Sequence, residues 1–586
     1  MTTPTTRQSS ATDSRDLLPH SPRGADFRRS RLTSPAGWTT ALVTAGLLLH
    51  ITLTAGVFLD IRYVLAALRT TGESGFSPSE VFAHRPFFYR WLIAGLDAVT
   101  FGSFAVSEAL MRLVGLVLCA AAGLLLWRAL RRRLPERDAL LVAAPVALTL
   151  AFAPVIDYLQ PEWFAIVFAV VAVAAALGVR DRWRAVALAA LPLGLAVLLK
   201  YSTAGTAAMA LLVVFAMDRV RALLLAAATA VATGLLFGIS VWSGSRELQW
   251  VRDMPHINVH QLGGAEPVVV SDLLQRTAQY VGDRIVLTPV LGLLPGALLL
   301  FAVTLGARRQ RVEAVVVTAL LVVVGLGVVM YQGNFFAYHG ESLPVVAAAL
   351  TGLAVGRWYG AYRRPPLCLT ALALVLGALT PLIFLVREDV YTVDLAWYAC
   401  AASLAAALVD MRLARAPRRP RTPRVPVALT GLALVVCLAA TVWPSSGVRV
   451  VQGHLVTTNA ELKEQAEAAR TAGEQVAAEL PEDAEVLYLA FGLQAYYVGH
   501  PTGCRYPFPT FLSVTKRLPE VAGLTSTREN VRCVTQEHPA EYMVYQPGWM
   551  SLAVVDPEIA DDIRRTYACP RPEGRQLVVC TLRHRG

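Results

Sequence analysis

Lysine is nearly missing from this chain. It occurs only at Lys200, Lys463 and Lys516, although lysine and arginine together number 53 in 586 residues, so the basic charge is almost all arginine. Charge of either sign is also scarce, at 16% of residues against 55% hydrophobic, and mean hydropathy is +0.50. That balance excludes an ordinary water-soluble protein. The eight cysteines include no Cys-x-x-Cys spacing, which argues against a structural zinc. No short apolar core with a cleavage pattern opens the chain, so residues 1–36 read as a disordered cytoplasmic tail rather than a signal peptide. No pair of matching broken helices repeats along the sequence, as transporters built from repeats usually show.

What the chain does have is apolar runs of bilayer length, roughly 20 residues each. Candidate spans are 37–59, 104–127, 139–156, 161–179, 185–199, 203–217, 222–243, 283–305, 314–331, 340–358, 367–386, 394–410 and 427–443. The expected fold class is therefore a polytopic α-helical membrane protein of about 13 transmembrane helices. The connections Arg128–Asp138, Arg180–Arg184, Asp218–Arg221, Arg308–Arg311, Arg357–Arg364 and Arg412–Arg424 are arginine-rich, and those between them are not. The positive-inside rule puts the rich set in the cytoplasm. It also accounts for the net charge of +11, so no nucleic-acid partner is expected. An odd number of spans leaves the N-terminus inside and the C-terminus outside. The arginine bias and Ala/Leu/Val richness fit a bacterial plasma-membrane protein from a GC-rich genome.

Composition shifts after Trp443. Strand and helix signals alternate through residues 444–586, predicting a C-terminal extracytoplasmic α/β domain after a transmembrane domain at 37–443. Cys504, Cys533, Cys569 and Cys580 all fall in that outer part, where an oxidising compartment permits two disulfides. Cys504–Cys533 with Cys569–Cys580 is the favoured pairing, and two others stay open.

The polar residues with chemical potential collect on the predicted outer side. Asp60 ends the first span, with Arg62 and Tyr63 beside it, and His84, Arg85, Tyr89, Arg90 and Trp91 follow before the next span. Lys200 is the single lysine of the membrane region and lies between two short spans. A buried charge there costs about 2.5 kcal/mol or more and calls for a partner. Asp157 and Glu162 flank another outward turn, and Tyr338 and His339 open a later span. A carboxylate among cations and aromatics at the bilayer surface suits a carrier lipid whose phosphate sits at the interface. Asp60 would take a proton from an acceptor hydroxyl or hold a metal doing that work. Lys200 and Arg85 would steady charge on a departing phosphate. Each group also has a plainer reading: a wet helix end for Asp60, a snorkelling cation for Lys200, a dipole-favoured first-turn acid for Glu162, and loop histidines for His256 and His260.

The segments LDIRYVLAALRTTG and HRPFFYRWLIAGLDAVTFGSFAVSEALMRLVG resemble the GT-C glycosyltransferases, membrane enzymes that use polyprenyl-phosphate sugars. The resemblance is strongest to the branch of bacterial protein O-mannosyltransferases and lipid A aminoarabinose transferases. Its motif counterparts here are Asp60, Arg62-Tyr63, His84-Arg85-Pro86-Phe87, Trp91-Leu92, Phe101-Gly102, Glu108 with Arg112, Lys200, and Tyr338 with Pro344. Leu59 replaces the first acid of the family's acidic pair, and His84 stands where an acid is usual. The resemblance implies Asp60 as base or metal-linked acid, with Arg62, Tyr63, Arg85 and Lys200 around the donor phosphate; position alone suggests His84, Tyr89, Asp157, Glu162, Tyr338 and His339 as further cavity residues. A divalent cation has a place in such a site, though no ligand set is defined. The expected function is transfer of a sugar from a polyprenyl-phosphate donor to a glycan, lipid or protein acceptor on the outer face. Attack opposite the leaving phosphate would invert the sugar's configuration. The alternatives are a flippase or transporter of the same lipid-linked sugar and a non-catalytic envelope scaffold.

Overall fold

The computed structural model describes residues 56–586 apart from 101–103, 245, 264–269, 334, 387–391, 416–424, 446, 451–454, 517, 538–539 and 584–586. The expected tail at 1–36, His50 and nearly all of the span expected at 37–59 lie outside the described residues. The helices that follow are α1 (Leu59–Glu73), α2 (Phe87–Ala98), α3 (Phe104–Leu130), α4 (Glu136–Ala151), α5 (Pro161–Gly178), α6 (Arg182–Leu199), α7 (Ala204–Met217) and α8 (Arg219–Trp242). Then come α9 (Glu247–Gly263), α10 (Val270–Leu287), α11 (Leu294–Thr304), α12 (Arg308–Gln332), α13 (Ser342–Tyr362), α14 (Leu367–Val386), α15 (Thr392–Arg415) and α16 (Val425–Ala439).

Among the described residues six helices are long and apolar enough to cross a membrane, and a seventh span results if one bent pair is counted together. The arginine-rich stretches at 128–138, 180–184, 218–221, 308–311 and 357–364, and the described part of the last at 412–415, each fall at a helix end or junction, and described junctions poor in arginine separate them. Close approach in a bundle needs small residues, and Gly352 of α13 shows why: a Cβ there would overlap the Leu141 carbonyl of α4.

One expected element is different in kind. The segment read as a straight span at 283–305 is broken, because α10 and the Pro289–Thr304 segment meet at 110°. Thr288 is not helical, Pro289 opens a five-residue 3-10 turn, and Pro295 starts the next helix. A proline cannot donate to the preceding turn and clashes with it, so two of them in seven residues end α10 and restart the chain in a new direction. The 11 residues of α11 reach only about 16 Å.

The C-terminal segment starts with the hairpin of β1 (Gly447–Val450) and β2 (Leu455–Thr458). α17 (Asn459–Glu479) follows, closed at its start by a Thr458/Glu461 capping box that satisfies two orphan N–H groups. Strands β3 (Val486–Leu489), β4 (Tyr542–Tyr545), β5 (Tyr567–Ala568) and β6 (Val578–Leu582) form a sheet of order β3-β4-β6-β5, with β3 parallel to β4 and the other pairs antiparallel. Helices α18 (Gly492–Val498), α19 (Thr525–Arg532) and α20 (Pro557–Thr566) surround it. Disulfides join Cys504 to Cys533 and Cys569 to Cys580, and three of these sulfurs sit in the same core as Leu487, Met543 and Ile563.

This segment shares packing with the loop between α1 and α2. Phe82 of that loop, Trp250 of α9 and Tyr506, Phe511, Leu518 and Val521 form one buried cluster. Backbone bonds tie Phe82 N to Arg505 O at 2.9 Å and Thr502 N to Thr70 O at 3.0 Å. Gly492 is needed at the start of α18, since a Cβ there would lie 2.6 Å from the Tyr63 ring.

Candidate active site

Asp60 sits in the first turn of α1, where the helix dipole favours a carboxylate. Its Oδ2 accepts from Arg85 at 3.1 Å and from Gln160 Nε2 at 3.4 Å. Arg85 reaches it because the preceding residue turns sharply: His84 has φ of 51°, a left-handed conformation that costs a non-glycine residue on the order of 1 kcal/mol. Packing holds that turn. The His84 ring lies 4.7 Å from Phe82, 5.0 Å from Phe511 and 5.8 Å from Tyr63, and its Nε2 is hydrogen-bonded to the Thr510 hydroxyl. Burial and the adjacent Arg85 charge pull the His84 imidazole down to about 3, so it is neutral at physiological pH.

Across from this pair lies a second one. Lys200 caps α6 at the hairpin to α7, and its Nζ donates to Glu162 Oε1 at 2.5 Å and lies 3.1 Å from His339 Nε2. The Tyr338 ring lies 5.2 Å away, within cation–π range. Glu162 begins α5 behind Pro161. The two pairs form one electrostatic group: Arg85 interacts with Asp60, Tyr338, Tyr89 and Glu162, and Lys200 with Glu162, Arg85 and Asp60. Tyr89 borders the group and donates to Leu159 O at 2.8 Å.

The donor count leaves capacity for a ligand. Arg85 Nε is buried with no hydrogen-bond partner, and Lys200 has three protons but two close partners. Exposure is graded in the same direction: Arg85 and Lys200 keep 17% and 23% of their side chains open, while Glu162 keeps 4%. Asp60, at 23%, is as open as the cations, and only the Glu162 carboxylate is enclosed. Among the described residues no three His, Cys, Asp or Glu side chains come together as metal ligands.

Other residues singled out in the sequence take other partners, although Tyr63 stays beside His84. Arg62, two positions from Asp60 and hence on another helix face, forks onto Glu108 at 2.7 and 2.8 Å. Tyr63 is buried against Phe508 and Phe491 of the C-terminal segment at 5.0 and 5.4 Å. Asp157 pairs with Arg284 at 2.6 Å, both side chains at most 1% exposed. Arg90 is enclosed by Glu247 at 3.0 Å and by the Trp250 ring at 4.1 Å. His256 lies exposed on α9, and the side chain of His260 is outside the described set.

Sequence reasoning missed Glu247, whose two oxygens serve Arg90, Tyr201 and the Phe87 N–H. It stands 157 positions from Arg90, and no local pattern signals it. Gln160, at the same outward turn as Asp157 and Glu162, is the residue there that reaches Asp60.

No family model matches the sequence, and no curated protein matches it. Solved structures do. ArnT from Cupriavidus metallidurans in the apo state superposes with a TM-score of 0.51 at 16% identity, over 93% of this chain and 97% of that one. ArnT from the same organism bound to undecaprenyl phosphate gives a TM-score of 0.52 at 16% identity, over 94% and 99%. A more remote match is the Archaeoglobus fulgidus oligosaccharyltransferase in the apo form, with a TM-score of 0.39 at 11% identity, over 91% and 73%. The chain therefore has the fold of ArnT.

Proposed function

We propose that this protein is an integral-membrane glycosyltransferase that moves a sugar from a polyprenyl-phosphate donor to a glycan, lipid or protein acceptor outside the plasma membrane. The observation that carries this reading is that Asp60–Arg85 and Lys200–Glu162 form one electrostatic group whose cations are partly exposed, with Arg85 Nε left without a partner. The ArnT fold, solved in that relative with undecaprenyl phosphate bound, supports the donor class. The arginine-rich junctions lie in the cytoplasm on this reading, which puts the pocket and residues 444–586 outside and the N-terminus inside.

Arg85 and Lys200 grip the donor phosphate. An acceptor hydroxyl oxygen forms the new bond to the anomeric carbon as the carbon–phosphate oxygen bond breaks. The bonding electrons leave with the phosphate, where the two cations hold the developing charge. Asp60 accepts the hydroxyl proton, a role worth about 10²–10⁴ in rate. Attack from the side opposite the phosphate inverts the sugar. Glu162 and His339 orient Lys200. Arg62 and Tyr63 act at one remove, Arg62 by fixing α1 through Glu108 and Tyr63 by seating the C-terminal segment.

Membranes carrying Asp60→Asn or Lys200→Ala, supplied with radiolabelled polyprenyl-phosphate sugar, test the assignment. Transfer at the wild-type rate by both variants would refute it. Wild-type membranes that carry intact donor across the bilayer and form no glycosidic bond would establish a transporter instead.

A further inference from the structure

A second polar cavity lies where the C-terminal segment meets the loop after α1 and the start of α9. It has a volume of about 350 Å³ and is lined by Phe76, Arg246, Arg505, Tyr506, Glu529 and Arg532, with Gly503 and Cys533 at its wall. That size accommodates a small charged group with a sugar-sized neighbour. Three guanidiniums line it against one carboxylate. Glu529 is already engaged: it pairs with Arg246, accepts from Tyr506 at 3.0 Å and lies 3.5 Å from Gln249 Nε2. Arg505 keeps a buried Nε with no hydrogen-bond partner, and its guanidinium lies over the Phe76 ring at 5.8 Å.

The cleft is built rather than incidental. Arg505 and Arg532 each adjoin a half of the Cys504–Cys533 disulfide, so one covalent link sets the spacing of two cations. Asn530 Nδ2 donates to Tyr506 O at 3.1 Å, and Asp253 accepts from the Ser526 N–H and hydroxyl at 2.9 and 2.7 Å, which locks α19 onto α9. Burial and the charges of Arg505 and Arg532 pull the Arg246 guanidinium below its usual value. The unpartnered Arg505 Nε belongs to a fork that matches tetrahedral oxyanions in particular.

We propose that this cleft is an oxyanion subsite that takes a phosphate group, carried by an acceptor or by a lipid headgroup. Its position suits an acceptor, on the transferase reading above: Arg505 O is bonded to Phe82 N, and Phe82 is three residues from Arg85, at most about 11 Å of chain. Phosphate binding itself does not depend on that reading.

The experiment titrates inorganic phosphate into full-length protein in neutral detergent, by calorimetry. Arg505→Gln/Arg532→Gln should weaken binding at least 10-fold while Lys200→Ala retains this binding event. Phe76→Asp, which places a negative charge in the cleft and removes no arginine, should weaken it similarly. Binding within twofold of wild type in a folded double variant, or in Phe76→Asp, overturns the proposal. Mannose 6-phosphate and dihexanoyl phosphatidic acid identify the source. Preference for the phosphosugar supports an acceptor, and preference for the lipid overturns the acceptor role while retaining the site. Phosphate binding alongside full transfer by Asp60→Asn would fault the catalytic assignment alone.

Discussion

Two sets of ion pairs share this protein's polar interior, and they are built on opposite plans. Asp157–Arg284 and Arg90–Glu247 are sealed, with side chains at most 3% exposed. Asp60–Arg85 and Lys200–Glu162 leave their cations partly open with hydrogen-bonding capacity unused. A sealed pair gains little net energy over an apolar substitute but is very costly to break, since the survivor is left as a bare buried charge. A half-open pair can exchange its partner for a ligand. On the proposed function, enclosure separates the charges that hold the bundle from the charges that handle substrate, and residue type alone does not.

Mutations can break that contrast. The largest loss of stability should come from Arg284→Ala, about 3–5 kcal/mol, read as a fall in the thermal midpoint of the detergent-purified protein. A shift as small as that of a surface variant would show that the sealed pair is not structural. Asp60→Asn should show the inverse pattern: transfer from the labelled donor falls by about 10²-fold or more, with little change in midpoint. Lost folding and lost transfer together would erase the distinction.

A smaller effect should appear with pH. His84 has a folded-state pKa of about 3 against about 6.5 when unfolded, so below pH 6.5 the unfolded chain binds a proton that the folded one refuses. Stability should therefore be unaffected by this residue above that pH and decline as pH falls from about 6.5 toward 3. His84→Asn, whose side chain tolerates the left-handed turn, should flatten that limb of the midpoint-versus-pH curve. Least of all should follow from Arg470→Ala, which removes an exposed i,i+4 pair with Glu474 worth no more than about 0.5 kcal/mol. A larger change would mean that enclosure is not the deciding variable.

The sequence made the helical bundle legible because hydropathy and the arginine bias are local signals. It also drew Asp60, Arg85 and Lys200 together, since each is a rare charge at the edge of an apolar run. It could not show that Arg62 is taken up by Glu108, 46 residues on, or that Tyr63 packs against α18 more than 400 residues later. Asp157 looked like a cavity carboxylate for the same reason: its partner, Arg284, read only as the start of a span. The break at Thr288 was visible as two prolines but was outweighed by the apolar run around it. Pairings across more than 100 residues leave no trace in periodicity.

The left-handed turn at His84 is braced from the far end of the chain by Phe511 and Thr510. A protein cut after Trp443 would keep every helix of the bundle yet release that loop. Arg85 would then swing free of Asp60, so the truncated chain could fold into the bilayer and still have no assembled centre.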